Sequence, residues 1–147
     1  MLRRNDGHII TMASMLGIMG AGSLTAYCSS KGAAVLFHDS LHHELDLLES
    51  KVRTSVVCPG YIATAMSAAL KGFSTFLYPK LSPQQVAAAI VSAVDKKSSQ
   101  DIYMPWFVTT LPSIAILPMW VRDIVKRNGL TSTFGRTGNP QKQAANN

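Results

Sequence analysis

Two short apolar, β-branched runs flank one long helical stretch, and this order constrains the fold more than any other feature. The first run is residues 7–14, GHIITMAS; the second is residues 52–58, VRTSVVC, which stops at Pro59-Gly60. Between them, residues 26–49 place Val35, Leu36, Leu41, Leu45 and Leu48 at helical spacing, suited to a core face or a subunit contact. Strand, helix, strand is a βαβ unit, and a connection of that length joins parallel strands. In such sheets ligands bind beyond the carboxyl ends of the strands. Ser14 and Pro59-Gly60 fall at those ends, and Tyr27 lies early on the connecting helix. The order of elements therefore brings all three to one rim.

Tyr27 and Lys31 are four residues apart, and Ser14 precedes the tyrosine by thirteen. Positions i and i+4 share one helix face, so the Lys31 ammonium is expected beside the Tyr27 phenol. A phenol titrates near 10, and a neighbouring positive charge favours its ionised form. Tyr27 is then able to exchange a proton with a substrate hydroxyl or carbonyl, while Ser14 hydrogen-bonds the same oxygen. No side chain supplies a hydride, so this chemistry requires a cofactor. A lone Tyr-x-x-x-Lys arises by chance in many helices; the flanking strands give this one its weight.

These segments resemble the short-chain dehydrogenases/reductases. GHIITMASMLG matches the family's strand and serine segment, YCSSK its Tyr-x-x-x-Lys motif, and CPGYIATAM its Pro-Gly segment. The longer stretches AYCSSKGAAVLFHDSLHHEL and VVCPGYIATAM are most similar to the membrane-associated retinol dehydrogenase branch. The resemblance implies an α/β fold, the C-terminal half of a Rossmann-like doubly wound parallel sheet with an apolar C-terminal helical extension. It implies that Tyr27 is the general acid/base, that Lys31 also binds the nicotinamide ribose, and that Ser14 orients the substrate oxygen. Pro59, Gly60, Ile62 and Thr64 would embrace the nicotinamide of NAD or NADP. The substrate implied is a lipophilic alcohol or carbonyl, such as a retinoid or lipid alcohol. A homodimer through helix 26–49 is also implied.

The chain departs from the family at its start. No Gly-x-x-x-Gly-x-Gly follows a strand, and the acidic or basic residue that chooses between NAD and NADP is missing. Gly17, Gly20 and Gly22 follow the serine and are expected to shape the substrate loop. Residues 1–6 read as the tail of a helix. The chain is accordingly expected to be the C-terminal half of a longer enzyme, inactive alone. The alternative is a non-catalytic remnant that acts only as a dimerisation or interaction module.

Further along, Ser82-Pro83-Gln84-Gln85 opens a helix running to about Lys97, with a serine cap, an early proline and a capping-box glutamine. Residues 101–104 read as a short strand. Three regions are expected: residues 1–105 as the catalytic half-domain, 106–129 as an apolar lid or membrane-associating segment, and 130–147 as a polar, disordered tail. His38 and His42 share a helix face without a third ligand, so a polar helix face is expected and no metal site. Two cysteines, Cys28 and Cys58, make no disulfide framework and are expected to be reduced thiols.

The net charge of +6 is uneven. Residues 1–102 hold nine basic and seven acidic groups, whereas residues 103–147 hold five basic groups against Asp123 alone. That is too sparse for a nucleic-acid footprint. The basic excess adjoins Met104–Val121, eighteen residues without a charge. Pro105, Pro112 and Pro118 interrupt this segment, which argues against a spanning helix. Trp106, Trp120 and the following Arg122, Lys126 and Arg127 suit a membrane surface. A lid over an apolar pocket fits equally well. The expected location is intracellular, either on endoplasmic reticulum or lipid-droplet membranes or in the cytoplasm.

Overall fold

The computed structural model describes residues 1–22, 24–64 and 79–129. Three strands, β1 (His8–Met12), β2 (Arg53–Pro59) and β3 (Gln100–Met104), form one sheet in the order β1-β2-β3. Both pairings are parallel, with Met12 opposite Val57 and Pro59 opposite Met104. Helix α1 (Thr25–Leu47) links β1 to β2, and α2 (Pro83–Asp95) precedes β3.

The side chains of β2 alternate between two apolar layers, as the strand period of two requires. Val56 and Cys58 pack with Ala13, Ile18, Ala34 and Val35 on the α1 side. Val57 packs with Leu81, Val86, Ile10, Ile90 and Ile102 on the α2 side. The two helices thus cover opposite faces, which is the doubly wound arrangement. Burying each such valine contributes about 1.5–3 kcal/mol, so β2 anchors the sheet.

Helix α1 turns Val35, His38 and Leu45 toward the sheet, whereas Leu36, Phe37, Leu47 and Leu48 are exposed. Of the apolar positions that suited a core face or a subunit contact, Val35 and Leu45 turn to the core, and Leu36 and Leu48 stay outside it. The two histidines turn toward the sheet. His38 is buried, and His42 Nδ1 shares a 3.0 Å hydrogen bond with the Thr54 hydroxyl. Residues 38, 42 and 45 lie at i, i+4 and i+7 on the stripe that crosses β2, so the face that carries the histidines is the inner one. Among the described residues, no three His, Cys, Asp or Glu side chains are grouped to hold a metal.

The start of α2 follows its sequence signature. Ser82 Oγ accepts from Gln85 N–H at 3.1 Å, and Gln85 Oε1 accepts from Ser82 N–H at 2.8 Å. The N-terminus forms a 3-10 turn, Leu2–Arg4. Asn5 Oδ1 then accepts from Lys51 N–H at 2.7 Å, and Arg53 pairs with Asp6 at 2.6 Å, tying this end to the start of β2.

After β3 the apolar segment breaks into a 3-10 turn (Trp106–Thr110), α3 (Leu111–Ala115) and α4 (Met119–Gly129). Among the described residues no helix is long and apolar enough to cross a membrane. The segment has two sides. Val108 is fully buried against Met15 and Met19, with Phe107, Leu111 and Ile114 around them. Trp106, Ile116, Met119 and Trp120 face outward. The tail expected over residues 130–147 lies outside the described residues.

A polar line crosses the sheet near its amino end. His8 Nε2 and Ser55 Oγ share a 2.8 Å hydrogen bond, and Ser55 Oγ also accepts from Gln100 N–H at 3.0 Å. Burial, helped by the Arg53 charge, lowers the His8 pKa below 6.5; burial also lowers that of His38. Both folded-state values lie below the unfolded one, so the native chain binds fewer protons between the two. The stability they contribute is complete above pH 6.5 and falls as pH drops below it. Thermal melts should show a falling midpoint between pH 7 and 5.5, and His8→Gln should reduce that slope. A midpoint that is flat or rising over this interval would contradict the reading.

Candidate active site

The site is built where β1 and β2 end. β1 stops at Met12, and the chain continues through Ala13, whose N–H donates to Val57 O at 2.8 Å. Ser14 is extended and only 6% exposed. Its Oγ accepts from Leu16 N–H at 3.2 Å, which caps a short 3-10 turn, Met15–Gly17. Such capping is the usual use of a serine before a helical turn.

Tyr27 is the third residue of α1 and keeps 37% of its surface exposed. Lys31 lies one turn further. Its Nζ donates to Met12 O at 3.0 Å and sits 6.0 Å from the centre of the Tyr27 ring. One cation thus joins the end of β1 to the first turn of α1. The second tie is Cys28 Sγ, which accepts from Ala21 N–H at 3.4 Å.

Beyond β2, Gly60 N–H donates to Met104 O at 2.6 Å. A side chain at Gly60 would meet Pro105 Cδ at 3.1 Å and Met15 Sδ at 3.4 Å, so this glycine allows the β2 and β3 ends to close on the Ser14 loop. Tyr61 O accepts from Leu81 N–H at 2.8 Å, and Ala63 N–H donates to Leu81 O at 2.9 Å. Ile62 is thereby bridged in parallel to Leu81. Ile62 lies in this clamped stretch, and Thr64 follows it, exposed at the same rim.

Four participants left no readable signal in the sequence. Met12 contributes only a carbonyl, which every residue type has. Leu81 contributes main-chain bonds. Met15 and Val108 meet across 93 positions, and their pairing depends on where the C-terminal segment returns.

Beneath the site, burial pushes the Cys58 thiol up to about 11, and the Asp101 charge adds to this. The Ser14 main chain and the Lys31 charge pull the other way. Burial likewise raises the Tyr103 phenol, with Asp101 reinforcing it both as a charge and as a hydrogen-bond acceptor.

The donors available suit one end of a dinucleotide. A Lys ammonium has three N–H donors, and Met12 O takes one, so two remain for ribose hydroxyls. The Gly60–Ala63 stretch lies at the same rim, with its Gly60 and Ala63 N–H groups already committed to Met104 O and Leu81 O. Among the described residues the diphosphate has no comparable cradle, because β1 leads into a three-residue turn rather than a glycine-rich loop and helix. The residues therefore fit the nicotinamide-ribose end alone.

A doubly wound parallel sheet with an exposed tyrosine, a lysine and a buried serine at its carboxyl rim defines a Rossmann-like α/β protein with a candidate alcohol/carbonyl site. A family model described as short chain dehydrogenase matches residues 1–74. The chain belongs to the short-chain dehydrogenase family. It is 33% identical to an uncharacterized oxidoreductase of Saccharomyces cerevisiae, across 98% of this chain and 50% of that one. It is 40% identical to 17-beta-hydroxysteroid dehydrogenase 13 of Rattus norvegicus, across 74% of this chain and 35% of the relative. A short chain dehydrogenase from Burkholderia cenocepacia, solved in complex with NADP, superposes with a TM-score of 0.65 at 25% identity, covering 88% of this chain and 50% of that one. The chain thus spans half or less of the length of these relatives.

The two thiols should behave differently. At pH 8 in native buffer, alkylation should reach half-buried Cys28 and spare Cys58, which should react only after unfolding. Mass spectrometry of the alkylated peptides checks this. Equal labelling of both in the native chain would contradict the buried placement of Cys58.

Proposed function

We propose that residues 1–147 form the acid/base half of an NAD(P)-dependent dehydrogenase for a lipophilic alcohol or its carbonyl, such as a retinoid, steroid or lipid alcohol. The observation that carries this reading is the Lys31 ammonium, held by Met12 O at 3.0 Å beside the Tyr27 ring, at the rim where Ser14 lies. When bound, NAD(P) supplies the hydride acceptor or donor. Tyr27 takes the hydroxyl proton during oxidation and returns it during reduction. Lys31 stabilises negative charge on the phenol oxygen and donates to the ribose. Ser14 Oγ accepts from Leu16 N–H and keeps its own proton to donate to the substrate oxygen. Pro59, Gly60, Ile62 and Thr64 hold the carboxamide side. The described residues offer only the nicotinamide end, so the proposed reaction also needs a phosphate-binding turn.

The lipophilic substrate is supported by the cover next to Ser14: Met15, Met19, Phe107, Val108, Leu111 and Ile114 are all apolar. It is also supported by the steroid named in the rat relative. Outward on the same segment, Trp106 and Trp120 are 78% and 68% exposed. Aromatics in that position favour a membrane surface, on endoplasmic reticulum or a lipid droplet. Exposed Leu36, Phe37, Leu47 and Leu48 on α1 support a homodimer through that helix.

The catalytic test uses residues 1–147 joined to a glycine-rich βαβ half. Tyr27→Phe should lower alcohol oxidation by ~10²–10⁴-fold with its melting temperature unchanged, since only the exchangeable proton is removed. Lys31→Ala should lower both the rate and the affinity for NAD(P). Wild-type activity in Tyr27→Phe would defeat the assignment of Tyr27, and an inactive joined wild-type protein would favour a non-catalytic interaction module.

The membrane reading has its own test. The chain should sediment with phosphatidylserine vesicles, and Trp106→Ser with Trp120→Ser should release it. If the unmodified chain stays in the supernatant, residues 104–121 serve as a lid alone.

A further inference from the structure

Gly17 is where the loop after Ser14 meets α1. Its N–H donates to Ser14 O at 2.9 Å, closing the turn that Ser14 caps. A Cβ placed on Gly17 would lie 2.6 Å from Lys31 O, 2.7 Å from Lys31 C and 3.1 Å from Gly32 N. The contact is reciprocal, because a Cβ on Gly32 would lie 3.3 Å from Gly17 O. Gly20 and Gly22, on the same loop, have nothing within 4 Å of such an atom. Gly17 lies in a right-handed turn, so close approach alone requires the glycine there.

Neither partner is free to yield. The obstacle at 2.6 Å is helix main chain, and Lys31 C=O lies mid-helix, where the i+4 hydrogen bond commits it. On the loop side, Ala13 is bonded to Val57, and Met15 and Met19 are wedged against Val108. Ordinary contact begins at 3.4 Å, so an alanine at 17 must part the two backbones by about 0.8 Å, the difference from 2.6 Å.

We infer that Gly17, seated on Gly32, is a positioning residue for the candidate site. The contact sets the separation between the Ser14 loop and the Tyr27–Lys31 turn, and it keeps Lys31 Nζ within hydrogen-bond reach of Met12 O. Its catalytic consequence rests on the proposed function above; its geometry does not. A misplacement of this size between groups that must act together costs up to roughly 10²-fold in rate.

The test has a structural and a kinetic arm. Crystal structures of the 147-residue chain should show the Lys31–Met12 hydrogen bond broken in Gly17→Ala and retained in Gly22→Ala. In the chain joined to a cofactor-binding half, Gly17→Ala should lower kcat by roughly 10²-fold with KM for the alcohol little changed, a split that general destabilisation does not produce. Gly32→Ala needs a shift of only about 0.1 Å, from 3.3 to 3.4 Å, and serves as the second variant. It should lower kcat in the same direction by a smaller factor. An intact Lys31–Met12 bond in Gly17→Ala, or an unchanged kcat in whichever of the two variants folds, overturns the inference. If the joined wild-type protein lacks activity, the proposed function fails, and the crystal structures still decide whether Gly17 sets the spacing.

Discussion

Strand β2 is sealed on every side, and the rest of the structure follows from that. Its main-chain groups have no access to water, so β1 and β3 must satisfy them. Its side chains alternate between two layers, apolar at Val56, Val57 and Cys58, so each face needs a helix. α1 answers on one face and α2 on the other. Parallel pairing then sends β1, β2 and β3 out at the same rim. The carboxyl ends of the strands, with Ser14, Gly60 and Pro105, converge there because β2 admits no other solution.

At that rim one charge is placed by the main chain. Lys31 reaches back from α1 to Met12 O, the last carbonyl of β1. This bond connects the two elements that carry Tyr27 and Ser14. The layer beneath is dry enough to push the Cys58 thiol up to about 11, so the rim rests on an apolar floor. A polar rim over an apolar floor has the right character for proton exchange with an otherwise greasy molecule, the basis of the proposed reaction.

The segment after β3 meets two demands at once. Its inner residues Val108, Leu111 and Ile114 bury Met15 and Met19, which fixes the loop after Ser14. Its outer residues Trp106, Met119 and Trp120 remain in solvent. The prolines break the segment into short turns, and each turn directs some apolar side chains inward and others outward. Cover and exposed apolar patch are therefore opposite sides of one stretch, and the lid and membrane-surface readings are compatible.

Local pattern was enough for the βαβ order, the parallel sheet, the capping box at Ser82 and Gln85, and the Tyr27–Lys31 spacing. Each depends on neighbours within a few residues, where period, caps and turn residues act directly. Pattern failed where two distant segments had to meet. The stripe of α1 that faces β2 was left open between core and subunit contact, because helical spacing shows that a face exists and not which neighbour covers it. The part of Met12 was invisible because a carbonyl has no residue type. Gly17 stood out only as one of three loop glycines; the approach of Lys31 and Gly32 separates it from Gly20 and Gly22. Sequence alone determined the elements and the chemistry they carry. Tertiary structure decided which of those groups touch, because contact depends on close packing between segments far apart in the chain.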